Sequence, residues 1–429
     1  MKLLTALSLS AALMASAAPA QTPIKPRAKV EALAAAIDAQ FYDPGRAAKI
    51  AGELRAEAGK GTYDKLTDPR DFAAALTERL RPQDGHFAVS WTPPAPAAAT
   101  AARGPSGPPP FLSRRGGYGF VAVRVLPGNI GYIDMRGFAD FAADGDQAAR
   151  QAADAALALV AGTDALIFDL RDNGGGSPAM VGYLIGHFVP EGAKIYNTFK
   201  TRGEPDSDEA PHVPIAGQRR LDVPLYVLTS GRTASAAESF AYTLQAAGRA
   251  TVVGEPSAGG ANPGGAAALG DGLSVFISSG TPINPITGRN WEGTGVTPDA
   301  AVPAAQALDR AQQLALTKLA AAPLGEPVRT ENRWALEALS PPPTIAAQAL
   351  ARYEGVYGPY QAKVVGGRLQ LQVGRRPPSV LVPLDDAGLF HVEGAPSRRV
   401  RFDETALVFL SPDGSQTRQQ RNGAATGAS

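Results

Sequence analysis

Between residues 130 and 253 short apolar runs alternate with helical segments, and two of the turns joining them are built from glycine or serine. Runs at 130–135, 165–170 (ALIFDL), 194–199, 224–228 and 251–253 predict strands. Between them lie an Ala-rich helix that Asp144 can cap, running to Ala161, a helix at 180–188, and one at 236–247 closed by Gly248. Strand, crossover helix and strand repeated in this order predict an α/β layer with a mainly parallel sheet. Reactive side chains in such layers sit on the loops leaving the carboxyl ends of the strands.

On either side the pattern changes. Residues 21–92 read as a helical subdomain, with Val30, Leu33 and Ile37, then Phe72, Leu76 and Leu80, at helical spacing. Residues 93–117 are rich in Pro, Ala and Gly and read as a linker or long loop. The α/β core is expected over 118–322, ending in an Ala/Leu/Gln helix to about Ala321, and a Pro-rich linker over 323–346. Residues 347–429 form a β-rich module, a small barrel or sandwich, in which Leu369, Leu371 and Val373 share a side. Tyr353 and Tyr357 are available there either to a ligand or to the module's core.

Residues 1–20 read as a signal peptide: Lys2, an apolar run over 3–14, and the Ala18-Pro19-Ala20 cleavage pattern. The run is shorter than a membrane span requires, so the mature chain is expected to be exported, to a periplasm or the medium, with no remaining span. With 41 Lys+Arg against 40 Asp+Glu, nothing argues for a nucleic-acid partner. The absence of cysteine excludes disulfides, thiolate metal sites and a cysteine nucleophile.

Two turns carry the candidate chemistry. In FDLRDNGGGSPAMV, Gly174, Gly175 and Gly176 precede a helix. They outline a dinucleotide fingerprint, but the acid expected about 20 residues on is missing. Such glycines still let backbone N–H groups converge on a negative oxygen, or make a tight turn with no ligand. In VLTSGRTASAAESFA, Ser235 opens a helix. Two jobs are open to it: the Ser of a Ser-x-x-Glu capping box with Glu238, or a nucleophile favoured by the helix dipole, with the N–H of Ala236 facing an oxyanion. A serine nucleophile needs a base, and the chain has 4 histidines: His86, His187, His212 and His391. His187 lies in an apolar helix, His212 in a Pro-rich loop and His391 in the β module, whereas His86 follows a helix in PQDGHFAV beside Asp84. No lysine occurs between Lys200 and Lys318 to replace it. Glu292, in WEGTGVTPDAAV, is a candidate acid or a solvated loop carboxylate.

Taken in order, TDPRDFAAALTERLRPQDGHFAV, GNIGYIDMRGF, FDLRDNGGG, VLTSGRTASAAESFA, ATVVGEPSAGGANPG and EGTGVTPDAAV resemble the C-terminal-processing (tail-specific) serine peptidases, with the tricorn core and the repeats of interphotoreceptor retinoid-binding protein. The resemblance implies a crotonase/ClpP-like layered core and acyl-enzyme hydrolysis of a peptide or protein substrate. It places the nucleophile at Ser235 and the oxyanion hole at Ala236 and the turn containing Gly174 and Gly175. One branch uses a lysine after a GEP string; Gly259-Gly260 stand there instead, so the histidine–glutamate pattern is implied, with His86 as base and Glu292 as its acid. No metal or organic cofactor is implied. A binding protein for hydrophobic ligands or peptides and an esterase are the competing expectations. The C-terminal module resembles β-barrel appendages of serine hydrolases related to penicillin-binding proteins.

Overall fold

The computed structural model describes residues 23–93, 109–141 and 147–422. The expected signal peptide, the Asp144 cap and residues 94–108 of the Pro/Ala-rich stretch lie outside these. Two compact units form, one from the chain up to Gly104 together with Pro263–Gly280, the other from Pro105–Asn262 together with the chain from Thr281 onward.

The N-terminal unit begins with helices Pro26–Gln40, Pro44–Gly59 and Pro69–Leu80. Proline starts each where its missing N–H costs nothing, and Asp43 and Asp68 accept the first-turn N–H groups of Arg46 and Arg70 at 3.0 and 2.8 Å. Val30, Leu33, Ile37, Phe72, Leu76 and Leu80 are buried, as their spacing predicts. Strand Ala88–Trp91 then pairs with Leu273–Ser278, which pairs in turn with Gly264–Gly270, all antiparallel. This hairpin has no counterpart in the sequence reading. Its first strand, GGAAALG, lacks the β-branched and aromatic residues that mark a strand, and is held by cross-strand pairing instead.

The larger unit centres on a six-stranded sheet. Its order is Ala300–Ala301, Thr251–Gly254, Leu225–Thr229, Ala165–Asp169, Ile130–Met135, Phe120–Leu126, and only the last pair is antiparallel. Alternate residues divide between two cores. Ile133, Phe168, Val227 and Val252 face one, shared with Phe240 and Leu244 of the helix Ala236–Ala246 and with Leu184 of the helix Pro178–Gly186. Tyr132, Ile167, Tyr226 and Val253 face the other, covered by Ala311, Ala315 and Leu319 of the helix Ala307–Ala321. The mixed, mainly parallel layer is the predicted one. The run at 194–199 departs from expectation: only Thr198–Thr201 is a strand, because Asn197 turns its side chain inward to Glu209 and Thr243.

From Gly355 to Gln420 eight strands follow one another antiparallel, and a bridge between Tyr357 and Arg421 ties the first to the end of the last. The result is a nearly closed barrel. Tyr353 and Tyr357 are buried in its core with Phe390 and Phe402, the Tyr357 hydroxyl donating to the Tyr353 carbonyl at 3.1 Å, so both serve packing. Among the described residues no helix is long and apolar enough to cross a membrane.

Candidate active site

Strand Leu225–Thr229 is buried throughout and delivers the chain to a turn pinned against the neighbouring strand's exit loop. The Thr233 hydroxyl donates to the Leu170 carbonyl at 2.7 Å, and the Ala234 N–H to the Asn173 carbonyl at 3.0 Å. Ser235 follows with φ 55° and ψ −122°. An ordinary N-cap sits in the β region. A left-handed φ with this ψ is a strained conformation for serine, of the kind found where a sharp strand-to-helix turn thrusts a side chain outward. Helix capping alone does not require it.

The glycine turn lies against this elbow. Gly175 has φ 109°, and a Cβ there would stand 2.7 Å from Ser235 Cβ and 3.1 Å from the Ala236 nitrogen. Gly176, at φ 141°, has the same need, since a side chain would run into the Phe138 backbone. Asn173, fully buried, sets the turn by donating to the Met135 carbonyl at 3.1 Å and accepting the Gly175 N–H at 2.9 Å. The Gly175 N–H is therefore occupied within the turn. Gly174 is exposed beside it, and Ala236 is the first residue of the helix, where an N–H has no intrahelical acceptor.

Glu238 is more than the capping-box acid of the sequence reading. It is fully buried and accepts the Ser235 N–H at 2.8 Å, the Ser257 hydroxyl at 2.6 Å, and the Gly259 and Gly260 N–H groups at 2.6 and 2.9 Å. One carboxylate thus locks the strained serine to the loop at 257–260. The next residues of that loop, Ala261 and Asn262, donate their N–H groups to Glu292 Oε2 at 2.8 and 3.0 Å. A carboxylate satisfied by backbone amides is held in one place. Ser235, Ala236, Gly174, Gly175 and Glu292 all belong to the larger unit.

His86 is built on the N-terminal unit. Its N–H donates to Asp84 Oδ1 at 2.8 Å, and its Nδ1 lies 3.2 Å from the same oxygen. Burial pushes the Asp84 carboxyl up, but the hydrogen bonds from the His86 ring and N–H outweigh it and hold it below the usual carboxylate range. Asp84 therefore fixes the imidazole from the Nδ1 side, a role the sequence hinted at only by adjacency. His187 is buried and pushed down to about 4 by desolvation, and His391 is lowered for the same reason. Arg171 clamps Asp169 through two contacts at 2.9 and 2.6 Å and donates to the Ala304 carbonyl, a fastening of the strand's end.

One buried acid lies beneath the serine's helix. Glu209 accepts from Ser239 Oγ at 2.6 Å and from Asn197 Nδ2 at 2.8 Å, with no cation in the cluster, and burial pushes its carboxyl up to about 7. Its backbone packs so closely on Gly182 that no side chain fits there. Glu209 so touches both the helix that Ser235 opens and the helix following the glycine turn. A carboxyl raised on folding holds its proton in the native state while the unfolded chain has lost it, so stability falls as pH rises from about 4.5 towards 7. Across that window the Glu209 proton contributes a decline in melting temperature, opposed by His187 and His391, which are lowered on folding and add stability as pH rises in wild type and variant alike. In Glu209→Gln the decline should be smaller; equal slopes would remove Glu209 as the titrating group.

Residues 129–302 match the model of peptidase family S41. Among solved structures, a lipoprotein from Streptococcus agalactiae is similar at 17% identity and TM-score 0.45, over 69% of this chain and 98% of that one. A putative peptidase from Parabacteroides merdae is 20% identical at TM-score 0.43, over 65% and 90%. The photosystem II D1 C-terminal processing protease is 16% identical at TM-score 0.42, over 66% and 94%. The matched segment spans five of the sheet's six strands, the glycine turn, the serine elbow and the Glu292 loop, so this part of the chain is a peptidase family S41 region.

Proposed function

We propose that this chain is an exported serine peptidase that cleaves peptide bonds through an acyl-enzyme on Ser235. The observation that carries the reading is the strained Ser235 backbone held between Glu238 and the Gly175 turn. His86 takes the hydroxyl proton as Ser235 Oγ attacks the carbonyl carbon, then returns it to the leaving amine; water repeats the sequence on the ester. With Nδ1 on Asp84, the nitrogen for this transfer is Nε2. The N–H groups of Ala236 and Gly174 supply the oxyanion donors, with Gly175 shaping the turn. Glu292 steadies the imidazolium, and Asp84 is a second carboxylate in that role. The substrate is a peptide or protein, and the tricorn-like histidine–glutamate pattern is favoured because no lysine follows the GEP string.

A peptide-library digest read by mass spectrometry, run beside p-nitrophenyl esters, tests this. New peptide termini should appear with wild type and vanish with His86→Ala. Ester turnover without any peptide cleavage would convert the reading to an esterase, and turnover of neither would overturn it. Asp84→Asn and Glu292→Gln then rank the two carboxylates by loss of kcat.

A further inference from the structure

One end of the C-terminal barrel opens into a cavity of about 400 Å³, within the size range of small-ligand sites. Leu371, Val373, Val392, Val400 and Phe409 line it, and Tyr360 packs its ring 4.8 Å from that of Phe409. Eight-stranded barrels are wide enough to hold one small molecule where side chains do not fill them. Here Tyr353, Tyr357, Phe390 and Phe402 fill part of the core, and Leu371, Val392 and Val400 belong both to that core and to the wall of the cavity.

The charge around this mouth is one-sided. Arg376 and Arg398 border the cavity, and no aspartate or glutamate does. Arg398 is exposed and borders the cavity from the strand Ala395–Phe402, at the bulge between the pairs Arg399–His391 and Ala395–Val392. Elsewhere the barrel's arginines Arg368 and Arg418 are paired with Glu393 and Asp403, and Arg399, which also borders the cavity, is paired with Glu337 at 2.7 Å and lies over the Trp334 ring. Among the described residues neither Arg376 nor Arg398 has an ion-pair partner. Asp413, next to the mouth in sequence, accepts the Ser415 N–H. Apolar walls ending in two uncompensated guanidinium groups complement a hydrocarbon body that ends in one carboxylate.

We propose that the barrel mouth binds an apolar carboxylate, its body against Val400 and Phe409 and its carboxylate between Arg376 and Arg398. A free fatty acid and an apolar chain terminus share this chemistry. The assignment is independent of the peptidase reading and needs no catalysis.

Titration calorimetry of the full chain carrying Ser235→Ala, with octanoate, octyltrimethylammonium and N-acetyl-trileucine as probes, tests it. Octanoate, the trileucine acid or both should bind with one-to-one stoichiometry, the stronger arm identifying the source. The cation of equal chain length should not bind. Arg376→Gln with Arg398→Gln should weaken binding by about tenfold or more while circular dichroism is unchanged. Val400→Trp, filling the cavity, should abolish it. Binding of the cation as tightly as octanoate, binding untouched by the arginine pair, or no binding of either acid would overturn the proposal.

Discussion

Ser235→Ala is expected to lower peptide hydrolysis by about 10⁶-fold, the scale on which removal of a serine nucleophile acts when the rest of its machinery remains. The fold should persist, because alanine bears the same penalty at φ 55° that serine does. Ser235→Gly separates the two properties of this position. Glycine adopts a positive φ at no steric cost, so this variant should be equally inactive yet more stable than Ser235→Ala by about 1 kcal/mol in urea unfolding. An inactive, stabilised Ser235→Gly would show that the strain is kept for function. A serine that served only as a cap would leave turnover intact in both variants and make each of them less stable than wild type.

Gly175→Ala should produce the second largest effect. Its φ of 109° is closed to alanine, and the new Cβ would meet Ser235 Cβ at 2.7 Å and the Ala234 carbonyl oxygen at 3.0 Å. Both are fixed by backbone, so relief requires the elbow itself to shift. Displacement of the nucleophile by a fraction of its working distance costs about 10²-fold in kcat, and the backbone strain adds about 1–3 kcal/mol of destabilisation. Gly174→Ala is the control for stability. A Cβ at Gly174 meets nothing within 4 Å, so its unfolding midpoint should stay near that of wild type. If the two variants unfold alike, the close approach of turn and elbow is not a determinant of the fold.

Much of the larger unit was legible because its elements are long apolar runs with clear punctuation. The strands at 130–135, 165–169, 225–229 and 251–254 and the helix from Ala236 lie where their patterns predict. The site was legible in its chemistry: the Gly-rich turn and Ser235 emerge from neighbouring parallel strands at their carboxyl ends. Geometry was not. Glu238 looked like half of a capping box, and nothing in Ser-x-x-Glu says that the same carboxylate also collects Ser257, Gly259 and Gly260. Asn197 and Glu209 were invisible because a buried polar pair has no periodicity, and Asn197 interrupts a run that otherwise reads as strand. The hairpin at 264–278 was missed because its first strand is mostly glycine and alanine, which carry no β signal of their own.

The central claim is that Ser235 is a nucleophile. Treating the protein with a fluorophosphonate and mapping the adduct tests it directly, because cleavage at Arg232 and Arg249 isolates residues 233–249, which contain only Ser235 and the buried Ser239 as serines. One adduct on Ser235, absent from Ser235→Ala and strongly slowed in His86→Ala, is the predicted result. An adduct on another residue that survives Ser235→Ala, or no adduct on a protein that hydrolyses peptides, would contradict it.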